Sequence, residues 1–518
     1  MTAFAETLAG LVGAAHVTAD EGARRLVSDD IYGRGGLAAL VVAPGSTAEV
    51  QGVVRACAEA GVAILPRGGG MSYTGGYVAR EAGGVVLDLR RLNAISVNAA
   101  DRTVSVGAGA TWQDLLEALR PHGLRTPFWG PLSGLSSTIG GGLSQNNAFL
   151  GASLYGPTAE SVLSVSVVLA DGRLLRTGSA GSGGKPFFRH DGPDLTGVFL
   201  GDCGAFGVKT EATFRLIPAP SHEAWLSFSF ADHSSWLAAM TAASRLNLAC
   251  EIFGFDPNLA RIRMKRASLL ADAGALLKVV GAQKSLLTGL KEGAKVALAG
   301  RGFLDGADYS VHVTAEGSGP AGVEEKAAAL RAALTSAGGK EVENTIPKVI
   351  RANPFTPLNS ILGPEGERWA PVHGIVALSQ AAAAFEALEA VFAERGPAFD
   401  KAGVSTGYLL TTVGQTGFLI EPVFYWPDTL FPIHEETVEG PYLSRLPRRP
   451  ANAESAAVVA EARSAVVEAF TRFGAAHFQI GRTYPLAKTR SPEALAALKA
   501  LKAQFDPNGV MNPGVLGL

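Results

Sequence analysis

Apolar and polar positions change period several times along the 518-residue chain. Residues 37–45, LAALVVAPG, form a short apolar run that predicts a strand. In 46–61, STAEVQGVVRACAEAG, apolar positions recur at helical spacing behind Ser46, with Glu49 three positions on and Gly61 at the end. That order predicts a helix opened by a capping box and closed by glycine. VAILPRGGG (62–70) reads as a strand running into glycines, GGVVLDLRRLN (83–93) as a further strand, and RTVSVGAGATWQDLLEALRPHG (102–123) as a strand, a glycine turn and a helix. The rhythm of the first ~220 residues is that of an α/β arrangement. SVLSVSVVLADGRLLRTG (161–178) alternates with period two on both sides of Asp171–Gly172, which predicts a hairpin. GDCGAFGVKTEATFRLIP (201–218) is a glycine turn leading into an alternating strand.

From about 221 the pattern changes. Short strand-like runs (EAWLSFSF, DYSVHVTAEG, WAPVHGIVAL) alternate with alanine-rich helical stretches (VEEKAAALRAALTSAG, QAAAAFEALEAVFAERG), which predicts a second domain of α+β type. The loop GPYLSRLPRRPANAES (440–455) interrupts it, and a helix, PEALAALKALKAQF, precedes the closing DPNGVMNPGVLGL.

Composition narrows the function classes. The chain is 47% apolar, enough for two or three cores. Its net charge of −2 with 18% charged residues lacks the basic excess of a nucleic-acid binder, so none is expected as a partner. Cys57, Cys203 and Cys250 are too few and too far apart for a disulfide framework or a Cys-x-x-Cys knuckle. A reducing, cytoplasmic setting is therefore expected. The first residues have no basic n-region and Glu6 interrupts their apolar stretch, so no signal peptide is read. No run of 18 apolar residues occurs, so no membrane span is expected.

The stretch LPRGGGMSYTGG (65–76) has five glycines, three of them consecutive. Such a run lets successive backbone amides converge on an anion, and a mere turn would not repay its entropy. It is not a Walker A loop, because no lysine follows the glycines. Nor is it a dinucleotide Gly-x-Gly-x-x-Gly fingerprint, because Tyr73 stands at the third glycine counted from Gly68 and Gln145 at that counted from Gly140.

Five blocks together carry a resemblance. In order and spacing, APGSTAEVQGVVRACAEAGVAILPRGGGMSYTGG, STIGGGLSQNNAFLGASLYG, VLSVSVVLADGRLLRTG, GDCGAFGVKTEATFRL and the late FDPNGVMNPG are similar to the PCMH-type FAD-binding domain of the vanillyl-alcohol oxidase family, which also includes D-lactate and glycolate dehydrogenases. The resemblance implies an α+β, two-domain flavoprotein. Its FAD-binding domain would span 1–220 (core 32–218), its substrate-binding cap 221–470, and 471–518 would return to the FAD domain. It further implies that Pro66, Arg67, Gly68, Gly69, Gly70, Met71, Ser72, Tyr73 and Thr74 wrap the FAD diphosphate. Pro131, Ser136, Ser137, Thr138, Gly140, Gly141, Gly142, Ser144 and Gln145 would line the flavin and its phosphates. Gly204, Gly207 and Val208 would lie near the adenine end, with Asn512 in the returning segment. Many relatives bind the flavin covalently through a histidine just after the first glycine loop. Met71–Ser72 occupies that place here, so the FAD is expected to be non-covalent.

The resemblance also directs attention to FGAAHFQIGRTYPLAKTR (473–490). There Arg482 aligns with a family arginine, and either His477 or Gln479 with a histidine; Tyr484 is a further candidate. Segment 411–428 holds no histidine where hydroxy-acid dehydrogenases carry a metal pair, so no metal is expected. Glu421 and Tyr425 there, and His434 beyond, are read either as active-site groups or as an ordinary strand face and a buried histidine. For a phenol substrate, Tyr155, Tyr425 and Arg482 would stabilise a phenolate. The expected function is oxidation of an alcohol or 2-hydroxy acid by hydride transfer to flavin N5. Alternatives are oxidation of 4-substituted phenols or aromatic alcohols, flavin reduction by NAD(P)H, and non-enzymatic flavin binding. The expected partner is a small-molecule substrate; the electron acceptor stays open between oxygen, a quinone and a redox protein, and a homodimer is left open. Segment 260–303 sets nine basic residues against Asp272 and Glu292, beside leucines at helical spacing. It reads either as a helix packed on the cap or as a peripheral membrane contact.

Overall fold

A computed structural model describes residues 3–267 and 308–518. The first sheet has four strands in the order Val17–Thr18, Leu40–Val42, Val85–Asp88, Ile64–Arg67, and the last three run parallel. Helix Thr47–Glu59 makes the crossover between Leu40–Val42 and Ile64–Arg67. Ser46 Oγ accepts a hydrogen bond from Glu49 N, and Val50, Val53, Val54 and Cys57 form the buried face. Ile64–Arg67 delivers the chain to the glycine run at the carboxyl edge of this sheet, the edge at which parallel sheets commonly bind ligands.

The α/β reading of the first ~220 residues holds only for that sheet. The next is fully antiparallel, in the order Ile95–Asn98, Thr103–Gly107, Val208–Arg215, Val162–Val168, Leu174–Arg176. The hairpin about Asp171–Gly172 is its edge, with Gly172 at φ +79. Helix Trp112–Leu119 returns to no parallel strand; the chain goes on to Leu124–Arg125, which pairs with Ile217–Pro218.

The largest sheet has eight antiparallel strands. Seven run in the order Lys340–Glu341, His222–Phe230, Tyr309–Gly317, Ala249–Phe255, Ser405–Val413, Gly417–Trp426, Arg368–Pro371, and Gly374–Ala377 also pairs with Gly417–Trp426. Side chains alternate faces along a strand, and this decides where the chemistry sits. From Gly417–Trp426, Phe418, Ile420, Phe424 and Trp426 join the core with helices His233–Arg245, Ala381–Ala402 and Ala453–Arg472. Val423 and Tyr425 instead pack with Phe253, Phe255 and Leu409 against a cluster that includes Trp112, Phe128 and Leu143. The opposite face of the large sheet is thus turned to the half of the chain that carries the two glycine loops.

The C-terminal segment closes on the first sheet. Asn512 N donates to Ile64 O, and Asn512 Nδ2 donates to Gly76 O and Cys203 O, both at 2.7 Å. Cys57, Cys203 and Cys250 are free and buried. No helix among the described residues is long and apolar enough to cross a membrane. Of the basic segment 260–303, residues 268–303 lie outside the described residues.

Candidate active site

Two glycine-bearing loops face each other across one wall of a cleft whose empty volume, open mouth included, is about 1740 Å³. The loop after Ile64–Arg67 lies so close to its partner that a Cβ at Gly68 would stand 2.0 Å from Thr138 Oγ1, and one at Gly69 would stand 1.9 Å from Ser136 O. Only glycine permits that approach. Thr138 opens helix Ile139–Gln145, its hydroxyl accepting from Gly141 N. Among the described residues, no backbone N–H from Gly68 to Tyr73 reaches a protein acceptor. Six successive free amides on a cleft wall are the donors of an anion nest, and in a folded interior they require a ligand or water.

The nest is held from behind. Asp30 accepts from Tyr32 N and Gly33 N through Oδ1 and from Gly75 N through Oδ2 at 2.7 Å, while Ile31 N donates to Ser72 O. Burial raises the Asp30 carboxyl above its usual range against these bonds. Arg67 is buried, and its guanidinium donates to Leu26 O, Val27 O and Asp29 O. That burial lowers its pKa to about 10. Further along the cleft, beside Gly204 and Gly207, Lys209 Nζ bonds Asp202 Oδ1 at 2.5 Å and Ser144 Oγ at 2.9 Å. Tyr77, also in the wall, has a buried hydroxyl without a protein partner. The amide nest and this orphaned hydroxyl fit a long, anionic, polar-ended group such as FAD.

The other wall comes from the large sheet. Leu419, Glu421, Val423 and Tyr425 share one face of Gly417–Trp426, and Leu409 and Thr411 stand beside them on the neighbouring strand, Leu409 directly opposite Glu421. Leu259, Ile361, Phe149 and Trp369 complete an apolar compartment. Into it projects Glu421, for which no hydrogen-bond partner exists among the described residues. Burial pushes its carboxyl up to about 7, opposed by the charge of Arg263. Arg263, in the same wall, lies with Cζ 4.2 Å from the centre of the Phe255 ring. Between the two walls sit Phe478 and Gln479. Gln479 has φ +52, its N–H donates to Gln145 O at 2.7 Å, and its Oε1 is buried without a partner.

The geometry gathers most of the residues singled out in the sequence. Pro66 through Tyr73, Pro131, Ser137, Thr138, Gly140, Gly141, Gly142, Ser144, Gln145, Gly204, Gly207, Glu421 and Tyr425 all line the cleft. Thr74, Ser136, Val208 and Asn512 stand behind it: Thr74 O accepts from Arg482 N, and Ser136 O is the atom against Gly69.

Five candidate catalytic groups lie elsewhere. Arg482 faces away from the cleft; its guanidinium donates to the carbonyls of Gly75, Val78 (2.8 Å) and Pro513 (2.9 Å), so it fastens the nest loop to the C-terminal segment. His477 stacks on Tyr484 at 4.0 Å with Nδ1 on His373 O, and burial lowers its pKa to about 4. Tyr484 OH in turn accepts from His373 N, and its oxygen lies 3.0 Å from His373 Nδ1, a buried pair behind Phe478. Tyr155 lies under Arg125, which with Arg351 and the carboxylates of Glu223, Glu251 and Glu316 forms a buried ionic cluster. His434 accepts from Phe431 N through Nδ1, and its Nε2 lies 3.1 Å from Ile31 O. Asp30 and Lys209 escaped the sequence reading, and Arg263 entered it only as one basic residue of segment 260–303. Asp30 had a local signal, the Asp-x-x-Gly turn of Asp30–Gly33; Lys209 had none.

Comparison with known proteins agrees with this layout. Residues 38–178 match the family described as FAD binding domain, and 480–516 the family FAD linked oxidases, C-terminal domain. The chain is 37% identical to the glycolate oxidase subunit GlcD of Bacillus subtilis over 35% of its length and 37% of that protein's. It is 34% identical to D-lactate dehydrogenase of Archaeoglobus fulgidus over 35% and 39%. It is 37% identical to D-2-hydroxyglutarate dehydrogenase of Xanthomonas citri pv. viticola over 42% and 44%. It thus spans less than half the length of these relatives. Among solved structures, p-cresol methylhydroxylase with substrate bound superposes with a TM-score of 0.72 at 17% identity, covering 99% of this chain and 96% of that one. The 4-ethylphenol oxidase of Gulosibacter chungangensis, in its isoeugenol complex, gives 0.68 at 17% identity over 99% and 96%. At that identity the likeness is one of fold.

Proposed function

We propose, from a chain that carries the FAD-binding domain and the C-terminal segment of the FAD-linked oxidases, an enzyme that oxidises an alcohol or 2-hydroxy acid. The observation that carries this reading is Glu421, a buried carboxyl facing an apolar compartment that adjoins the amide nest. Bound FAD would supply the hydride acceptor. The protein supplies the rest. The amides of Gly68–Tyr73 would hold the pyrophosphate. Leu409, Val423 and Ile361 exclude water from the carbinol carbon. Glu421 takes the hydroxyl proton on a carboxylate oxygen, a task suited to a pKa near the working pH. Tyr425 and Thr411 stand in the same wall to orient the hydroxyl. The names of the relatives, which act on glycolate, D-lactate and D-2-hydroxyglutarate by their titles, support the hydroxy-acid class. A second reading, oxidation of a 4-substituted phenol or aromatic alcohol, draws on the apolar wall and on the likeness to the p-cresol and 4-ethylphenol enzymes.

In this reading 1–220 bind FAD, 221–470 form the cap, and 471–518 return to the FAD half. The enzyme works in the cytoplasm, where three buried free cysteines stay reduced. It passes electrons to oxygen, a quinone or a redox protein, as a monomer or homodimer. The test is an anaerobic panel of glycolate, D-lactate, D-mandelate, benzyl alcohol and 4-ethylphenol on the yellow purified protein. Bleaching by a hydroxy acid supports the first reading, and bleaching by the phenol alone supports the second. Bleaching by NAD(P)H alone, or a protein that takes up no FAD, refutes both.

A further inference from the structure

We propose that a groove behind the nest loop is a second anion site, which takes a small oxyanion of the phosphate type and, when filled, slows the release of FAD. The groove measures about 1180 Å³, open mouth included. Its walls are one face of helix Ala453–Arg472, the returning segment 482–489 and Tyr32. On the helix, Ala460, Ser464, Val467 and Thr471 recur at spacings of three and four and so share that face. Their short side chains keep it shallow. Gly481 brings the returning segment in against the nest loop: its φ is +55, and a Cβ there would stand 2.4 Å from Thr74 Oγ1.

Two arginines of the groove grip the nest loop from outside. Arg463 is buried, lies 3.8 Å over the Tyr32 ring, and donates to Pro371 O at 2.7 Å and Tyr73 O at 3.3 Å. Arg482 donates to the carbonyls of Gly75, Val78 and Pro513. These acceptors are neutral, so they leave the positive charge uncompensated. Asp30, the carboxylate that bears on Arg482, gives its oxygens to the N–H groups of Tyr32, Gly33 and Gly75. Burial lowers the Arg482 pKa, and the charge of Arg80 lowers it further. Arg482 Nε is buried without a protein acceptor, a state that calls for a ligand or water. Lys488 adds a third cation at the rim and Thr483 a hydroxyl; Glu468 is the one carboxylate among the described lining residues. Guanidinium forks, an ammonium and a hydroxyl together suit a multiply charged oxyanion. Such an anion would offset the charge of both arginines and hold them on the loop carbonyls. FAD on the front of the loop and the anion behind it then favour the same loop position, so each tightens the other.

The experiment uses the FAD-loaded protein, whose nest is taken, and inorganic phosphate as the probe at constant ionic strength. Calorimetry should show a single saturable site of millimolar or tighter affinity. Saturating phosphate should slow FAD release, followed by flavin fluorescence after dilution, on the order of 5-fold. Lys488→Glu should weaken phosphate binding on the order of 10-fold, and Thr483→Val less; both leave the loop contacts of Arg463 and Arg482 in place. Lys499→Glu makes the same charge change on helix Pro492–Phe505, outside the groove, and should bind phosphate as wild type does. A wild type that binds no phosphate overturns the proposal even if every variant fails to fold. Equal losses in Lys488→Glu and Lys499→Glu overturn the site in favour of general surface attraction. Phosphate binding that leaves FAD release unchanged overturns the coupling.

Discussion

Replacing Glu421 by glutamine should trade activity for stability, and the trade should depend on pH in a direction set by its burial. The folded protein holds the Glu421 proton up to about pH 7, whereas an unperturbed glutamate loses it near 4.5. Below the lower value the group is protonated in both states and costs nothing. As pH rises from 4.5 to about 7 the unfolded chain ionises first, so folding stability falls, and the deficit persists above 7. At 1.36 kcal/mol per unit, the full deficit is roughly 3 kcal/mol, of which about 2–3 kcal/mol develops between pH 5 and pH 8. Glu421→Gln removes the ionisable proton but keeps the shape. Its stability relative to wild type should therefore rise by that amount from pH 5 to pH 8 in urea unfolding followed by far-UV circular dichroism. At saturating substrate the variant should reduce its flavin on the order of 10²–10⁴-fold more slowly. The limb of the wild-type rate profile that climbs to about pH 7 should vanish. A variant whose relative stability is the same at both pH values would refute the burial argument. One that reduces flavin at the wild-type rate would refute the role of Glu421 as base.

Gly69→Ala places a methyl 1.9 Å from Ser136 O, so FAD should dissociate about 10–100-fold more readily if overpacking costs its usual 1–3 kcal/mol. Gly322→Ala, in helix Pro320–Ser336 with open space around its Cβ, is the control and should keep its FAD; equal FAD affinities measured by fluorescence titration would count against the close-approach argument. Arg482→Ala strands the carbonyls of Gly75, Val78 and Pro513. It should lower thermal stability and FAD retention while leaving flavin reduction near normal once FAD is saturating; a reduction rate down by 10²-fold or more would return Arg482 to the catalytic group. FAD should leave the polypeptide on acid precipitation, since Met71 follows the glycine run; yellow colour retained in the washed pellet would show a covalent link.

How far each half of the cleft could be read from the sequence follows from the range of the constraints that shape it. The nest is a local feature. Three glycines after a buried strand restrict what that stretch can do, and the second loop meets it because Thr138 caps the next helix. The glycine run could therefore be read locally as an anion nest, while the assignment of Pro66–Thr74 to FAD rests on the resemblance carried by all five blocks. The opposite wall depends on register across a sheet whose strands lie up to about two hundred residues apart. In FLIEPVFY nothing local says whether Glu421 or its neighbours face the cleft; that is decided when Leu409 pairs with Glu421 and Phe424 enters the helix-covered core. The misplaced residues fail for the same reason. Arg482 aligns with a family arginine, yet its acceptors at Gly75 and Val78 are some four hundred residues away. Tyr155 comes to lie under Arg125 only once the Glu316 and Glu251 strands align. Arg263 shows the converse. Its segment reads either as a helix packed on the cap or as a peripheral membrane contact, and in the fold Arg263 lies over Phe255 in the cleft wall. Binding of the shared cofactor thus depends on short-range backbone constraints, while choice of substrate depends on long-range pairing in the cap. A one-residue slip of Gly417–Trp426 would exchange Glu421 for an apolar neighbour and leave the nest intact, so a chain of this design can lose or change its substrate without losing its flavin.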